Sequence, residues 1–171
     1  MAELQRDLQR RGLVLEIQQI EKARLECLKR APKTGPNAMV LLLARVIGVG
    51  IETADMLVHE ILSRNLRDRR AVARYGGLTG SPNASGNKRR EKGLSQSGNA
   101  RVRRGMVLLA WCFLQFQKHS ALAQWFYART GKAPGVRKKM IVALARKLLI
   151  ALWHLVRDGV VPEGVVLRPA H

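Results

Sequence analysis

The side chains best suited to covalent chemistry are the hydroxyls of Thr79, Ser81, Ser85, Ser95 and Ser97, all within residues 77–104, GLTGSPNASGNKRREKGLSQSGNARVRR. That stretch carries seven Lys and Arg and a single acid, Glu91. A serine hydroxyl is a weak nucleophile until a base or metal activates it, and no His or Cys stands beside these in sequence. Turn formation and helix capping are the ordinary uses of such residues, and they account for Ser97. Ser85 has different surroundings. Gly86 permits close backbone approach, and Lys88, Arg89, Arg90 and Lys92 follow within a few residues. Such a site can hold a phosphodiester, set a hydroxyl beside phosphorus and stabilise the charge that develops in an in-line displacement. The residue types alone leave the choice among the hydroxyls open.

Other chemistries have less support. His59, His119, His154 and His171 are scattered, without metal-ligand spacing to a Cys or carboxylate, so no structural zinc is expected. Beyond residue 68 only Glu91, Asp158 and Glu163 are acidic, too dispersed to hold magnesium alone. Cys27 and Cys112 read as small buried hydrophobes in a reducing cytosol. Trp111, Phe113, Phe116, Trp125, Phe126 and Tyr127 offer a base-stacking platform for a single strand, but their helical spacing among Leu and Ala favours core packing.

The elements that must position these groups are helical. At 171 residues and 47% hydrophobic content, the chain is long and apolar enough for one folded domain, with or without a helical arm. Residues 3–30 form helix throughout, with Leu4, Leu8, Leu13, Ile17, Ile20 and Cys27 at coiled-coil spacings interrupted by Gly12; an intramolecular arm and a dimer seam both fit. A linker, 32–36, comes next. From Asn37 an apolar helix runs into Ile47, Gly48, Val49 and Gly50, and a second helix spans Glu52 to about Arg64. This pair looks like a helix-hairpin-helix, in which Gly48 and Gly50 would let a phosphate reach the next helix amino terminus; a plain tight turn fits equally, and Glu52 and Asp55 would repel the anion. Asn65–Tyr75 is a short basic helix with Asp68 as its cap and Gly76 and Gly77 at its end. Asn99 or Ser97 caps a helix from Ala100 to about Gln117. Its first turn carries Arg101, Arg103 and Arg104, cations that oppose the helix dipole and so suggest an anion is expected there. The last long helix, Val136–Asp158, buries Met140, Leu144, Leu148, Leu152 and Leu155, leaves Lys139, Arg146 and Arg157 on its other face, and stops at Gly159.

Charge points to the partner. The formal net charge is +19, and it is unevenly placed: residues 1–68 hold 11 basic and 9 acidic side chains, residues 69–171 hold 20 and 3, so the halves carry +2 and +17. Self-repulsion of that size makes DNA or RNA the expected partner. A membrane surface is a distant alternative, because the charge is spread over loops and helices and the apolar run 140–156 is broken by Arg146, Lys147 and His154. The polar amino terminus carries no secretory signal, so the expected location is the cytoplasm.

The order of motifs adds a resemblance. Ile47–Gly50 (I-G-V-G), Tyr75–Thr79 (Y-G-G-L-T), Ser85–Gly86 (S-G) and Gly93–Arg103 (G-L-S-x-S-G-N-x-x-V-R) resemble the carboxyl-terminal half of the Piv-like, DEDD-type insertion-sequence transposases, serine-using recombinases guided by a bridge RNA. The likeness covers residues 37 to about 165, and the preceding helix resembles the coiled coil that joins that family's two domains. It implies that Ser85 attacks DNA to form a covalent phosphoserine intermediate. It also implies that magnesium is bound by a separate RuvC-like domain, which has no counterpart in these residues, so no cofactor is expected on this chain alone. Two departures, Gly80 with proline delayed to Pro82, and Gln96 in place of a usual lysine, leave Ser85 untouched.

The expectation is therefore a mainly α multi-helix domain with a helix-hairpin-helix-like unit, a short irregular or β-hairpin basic loop and an N-terminal coiled-coil-like helix. Its divisions are 1–31 arm, 32–36 linker, 37–165 DNA-binding serine domain and 166–171 tail. The expected function is binding of DNA and a guide RNA by a bacterial, nucleoid-associated transposase domain that oligomerises through its first helix. Ser85 is the nucleophile and Lys88, Arg89, Arg90, Lys92, Arg101, Arg103, Arg104, Gly48 and Gly50 hold phosphates. The alternative is a truncated, non-catalytic nucleic-acid-binding remnant.

Overall fold

The structure is a computed structural model that describes residues 2–32, 34–85, 88–94, 97–131 and 134–169; for 2–10, 29, 81–85, 88–93 and 134 it describes the backbone alone. Among the described residues the chain is mainly helical, with seven α-helices and one two-stranded hairpin.

Helix α1 (Ala2–Arg30) is continuous through Gly12. Leu13, Ile17, Ile20 and Cys27 all face solvent, and the contacts with the body come instead from Leu25 and Leu28. Arg24 fastens the same end, donating to Glu52 at 2.6 Å and to Asp55 at 2.7 Å. Helix α2 (Gly35–Ala44) starts two residues before the expected Asn37, because Pro36 occupies its first turn, where a missing N–H and a fixed φ cost nothing. Gly35 and Pro36 thus belong to the helix, not to a linker.

The turn 45–50 leads into α3 (Ile51–Leu57), which runs on as a π-helical turn, Val58–Leu62. Helix α4 (Arg69–Tyr75) starts where Asp68 Oδ1 accepts from the Ala71 N–H at 2.8 Å. Strands β1 (Gly80–Ser85) and β2 (Lys88–Leu94) pair antiparallel. Helices α5 (Ala100–Phe116) and α6 (Ala121–Thr130) come after the hairpin, capped by Asn99 and by buried Ser120.

Helix α7 (Arg137–Asp158) organises the core. It packs against α2, α4, α5 and α6, and a wide apolar face that includes Ile141, Leu144, Ala145, Leu148, Leu149, Leu152 and Leu155 is buried. Arg146 and Lys147 remain on its exposed side, and Gly159 ends it at φ 70°, the left-handed conformation glycine adopts without strain. Among the described residues no helix is long and apolar enough to cross a membrane.

Residues 166–168, expected to trail off as a tail, are tied to the α2–α3 turn. Val46 bridges Leu167, and Arg168 Nη1 donates to the carbonyls of Ala44 and Val49 at 2.6 and 3.4 Å. Gln117, 2% exposed, clamps both pieces to the end of α5: its Nε2 donates to Ile47 O (2.8 Å) and Val166 O (2.9 Å), and its Oε1 accepts from Val166 N (2.9 Å).

Candidate nucleic-acid interface

The hairpin leaves the helical body at a single pinch. Gly77 (φ 64°) and Gly98 (φ 94°) stand against each other there. A Cβ on Gly98 would lie 2.7 Å from Arg74 O and Gly77 N, and one on Gly77 would lie 2.9 Å from Ser97 O. No other residue satisfies both the backbone angle and the space. Two backbone bonds secure the crossing, Leu78 N–H to Ala73 O at 3.0 Å and Asn99 N–H to Tyr75 O at 2.7 Å.

Beyond the pinch the ladder sets Ser85 opposite Lys88, Ala84 opposite Arg89, Asn83 opposite Arg90 and Ser81 opposite Lys92. The candidate nucleophile and the four cations of the hairpin thus share one ladder. Gly86, Ser95 and Gln96 lie outside the described residues.

The α5 cations sit at the hairpin's base in three different states. Arg101 is exposed, and its Nη1 donates to Glu60 Oε1 at 3.1 Å. Arg103 runs under the pinch; its Nη1 is buried with no hydrogen-bond partner among the described residues. Arg104 is exposed. Asn99 Oδ1 caps the helix, accepting from the N–H groups of Arg101 and Val102 at 2.9 and 3.1 Å, while its Nδ2 donates to Glu60 Oε2 at 2.9 Å.

Glu60 is the site residue that sequence reasoning missed. It sits in the π-helical turn, a local irregularity invisible to apolar periodicity, and links α3 to both the cap and the first cation of α5.

Gly48 and Gly50 stand apart from this cluster. Gly48 (φ 97°) is needed for the turn and for Phe116, whose Cβ lies 3.3 Å from where a glycine Cβ would be. Gly50 faces the Glu21 carboxylate on α1 at 3.6 Å from its notional Cβ. With Phe116 against one glycine and an anion beside the other, the tight-turn reading accounts for the G-V-G step, and the phosphate contact expected of it has no support in its surroundings.

The aromatic set divides. Phe113 and Phe126 are fully buried, but Trp111 is 39%, Tyr127 45% and Phe116 56% exposed, so core packing describes only part of it. Cys112, like Cys27, is exposed, not buried as expected. On α5, Trp111 and Cys112 fall away from the buried face of Val102, Met106, Leu109, Ala110, Phe113 and Leu114, and Phe116 falls at its edge, against Gly48. All three tryptophans carry a cation over the ring: Arg137 on Trp111 at 5.4 Å, Arg129 and Lys147 on Trp125 at 5.2 and 4.8 Å, and Arg157 on Trp153 at 4.7 Å. With three acids beyond residue 68, guanidinium and ammonium groups there find π faces more readily than carboxylates. Among the described residues no group of three or more His, Cys, Asp or Glu could hold a metal ion.

Fold and site together define a strongly basic helical domain that presents a serine-bearing hairpin from a rigid base. A family model described as Transposase IS116/IS110/IS902 family matches residues 40–125, and the chain belongs to that family of insertion-sequence transposases. It is 41% identical over 177 residues to "Putative transposase y4rJ" of Sinorhizobium fredii (strain NBRC 101917 / NGR234), a match that covers 98% of this chain and 44% of the relative. The chain therefore spans less than half the length of the curated relative it matches.

Proposed function

We propose that this chain is the serine-bearing, DNA-engaging part of an insertion-sequence transposase, with Ser85 as the nucleophile of strand cleavage and exchange. The observation that supports it most is the placement of position 85 opposite Lys88, on a ladder that also carries Arg89, Arg90 and Lys92 and springs from a fixed base. In the step, Ser85 Oγ attacks phosphorus in line. A serine–phosphate bond forms, the strand's bridging P–O bond breaks, and the departing oxygen takes up a proton. The hairpin cations stabilise charge on the non-bridging oxygens. Arg104 and, by exchange from Glu60, Arg101 extend the phosphate footprint onto α5, while Arg103, its Nη1 buried beneath the pinch, supports the base of the hairpin. A guide RNA is the second polyanion of this reading, and the setting is the bacterial cytoplasm and its nucleoid. Magnesium is assigned to no residue of this chain; in this reading it belongs to an acid-bearing domain acting alongside.

The test mixes the chain with that acidic domain, guide RNA and target DNA and looks for a protein–DNA adduct by denaturing gel and mass spectrometry. The wild type is expected to form one and Ser85→Ala to abolish it; an adduct persisting in Ser85→Ala sinks the assignment. A non-catalytic nucleic-acid-binding role is the second reading, favoured by the 20 basic and 3 acidic side chains of residues 69–171, a composition that suits binding a polyanion better than holding a metal to activate a hydroxyl. It predicts DNA retention in the same assay with no adduct from the wild type.

A further inference from the structure

The outward face of α5 carries a surface that the serine chemistry does not use. Arg104, Leu108, Trp111 and Gln115 recur every three or four residues along it, all exposed, with Leu108 at 62% and Trp111 at 39%. Arg137, from the start of α7, rests over the Trp111 ring. Trp111 and buried Phe126 meet in a T-shaped contact with centroids 6.4 Å apart, and Phe126 makes a second with half-exposed Tyr127, so Trp111 is held against the core. The ring thus stands beside an exposed aliphatic with a guanidinium over it, an apolar and cationic surface open to solvent.

Charge selects the occupant. The surface belongs to the half of the sequence with 20 basic and 3 acidic side chains, so a polyanion is attracted and a second copy of this chain is repelled. An intact duplex keeps its base faces stacked, and only an unpaired strand can offer one to an indole. The ridge is also continuous with the hairpin's base, since Arg104 lies in the first turns of α5, close to the pinch.

We propose that this ridge binds single-stranded nucleic acid, with one base stacked on Trp111 beside Leu108, and Arg104 and Arg137 on the flanking phosphates. The inference rests on the reading of the chain as a nucleic-acid binder and adds to it a place and a preferred form. On binding, the base takes the position over the indole that Arg137 now holds, and the guanidinium turns to the adjoining phosphate. One cation contact is exchanged for another.

The test compares the affinity of the full chain for an oligothymidylate and for a duplex of equal length by fluorescence anisotropy over a salt series. Trp111→Ala is expected to weaken single-strand binding roughly 10-fold, in the range of one lost stacking contact, and duplex binding less than about 2-fold. Trp111→Phe keeps a ring and is expected to stay within about 3-fold of wild type. Arg104→Gln and Arg137→Gln should each flatten the plot of log affinity against log salt by about 0.7 on the single strand. Equal losses on both DNAs, or none, with Trp111→Ala overturn the proposal. So does a shift in self-association in place of DNA affinity, which would assign the ridge to a second copy. If the wild type binds neither DNA, the nucleic-acid reading itself fails, a separate outcome. Should Trp111→Ala not fold, photo-crosslinking of the wild type to bromouracil-substituted oligothymidylate decides: attachment at Trp111 is expected, and attachment only elsewhere refutes the site.

Discussion

Gln117 shows how much of this fold rests on single polar side chains. Its amide is almost fully buried and satisfies three backbone groups, two on the returning carboxyl-terminal segment and one on the α2–α3 turn. Truncation leaves Ile47 O and Val166 N–H without this partner, whereas Val166 O keeps the bond from Ile47 N–H at 3.3 Å, and each buried unpaired group costs about 1–3 kcal/mol before relaxation. Gln117→Ala is therefore expected to lower stability by about 2–4 kcal/mol in urea denaturation; a loss below about 1 kcal/mol would show that water replaces the amide. Nothing in the sequence singles out this glutamine, because its partners lie 49 and 70 residues away. Asn99 is legible as a cap from its place before an apolar run. Its second bond, to Glu60, is not, since a lone acid in an apolar helix has no spacing signature for a partner 39 residues on.

At the scale of elements, features set by neighbouring residues are readable in the sequence, and features set by packing are not. Caps at Asp68 and Asn99, the glycine stop after α7 and its buried stripe are of the first kind. The fates of the α1 stripe and of Trp111 are of the second, because they depend on how many helices surround them. Local chemistry also sets an acid limit. The Asp68 carboxyl is held below its ordinary range, first by the bond from Ala71 N–H and also by Arg67, with desolvation opposing them. Asp158 is held down first by His154 and then by Arg157. For a carboxylate depressed in the folded state the stabilisation is complete above the unfolded value, about 4, and disappears as pH falls through the lower folded value. Thermal melts monitored by circular dichroism should therefore show a midpoint falling below about pH 4. Asp68→Ala should lower the midpoint at neutral pH and make the acid decline shallower; an unchanged decline would shift the cause to other carboxylates.

The whole molecule is divided in character. The amino-terminal part is nearly neutral, with Glu52, Asp55 and Glu60 engaged by Arg24 and Arg101, whereas the remainder is a cation-rich body with few internal counter-charges. The exposed Leu13, Ile17 and Ile20 lie on the neutral part, where two chains can approach without the body's repulsion. Sedimentation equilibrium is expected to show self-association of the wild type. Replacing all three by Glu should weaken it more than about 100-fold, since each buried aliphatic contributes about 1.5–3 kcal/mol; a monomeric wild type would remove the seam.

The touching glycines at positions 77 and 98 have one more consequence. Because both strands cross into the body at that one spot, strand length is uncoupled from core packing. Lengthening each strand by two residues would carry position 85 outward by about 6–7 Å while preserving which face of the ladder it occupies. Within this architecture the depth at which the serine meets its target is adjustable by insertion, and the helices beneath need no compensating change.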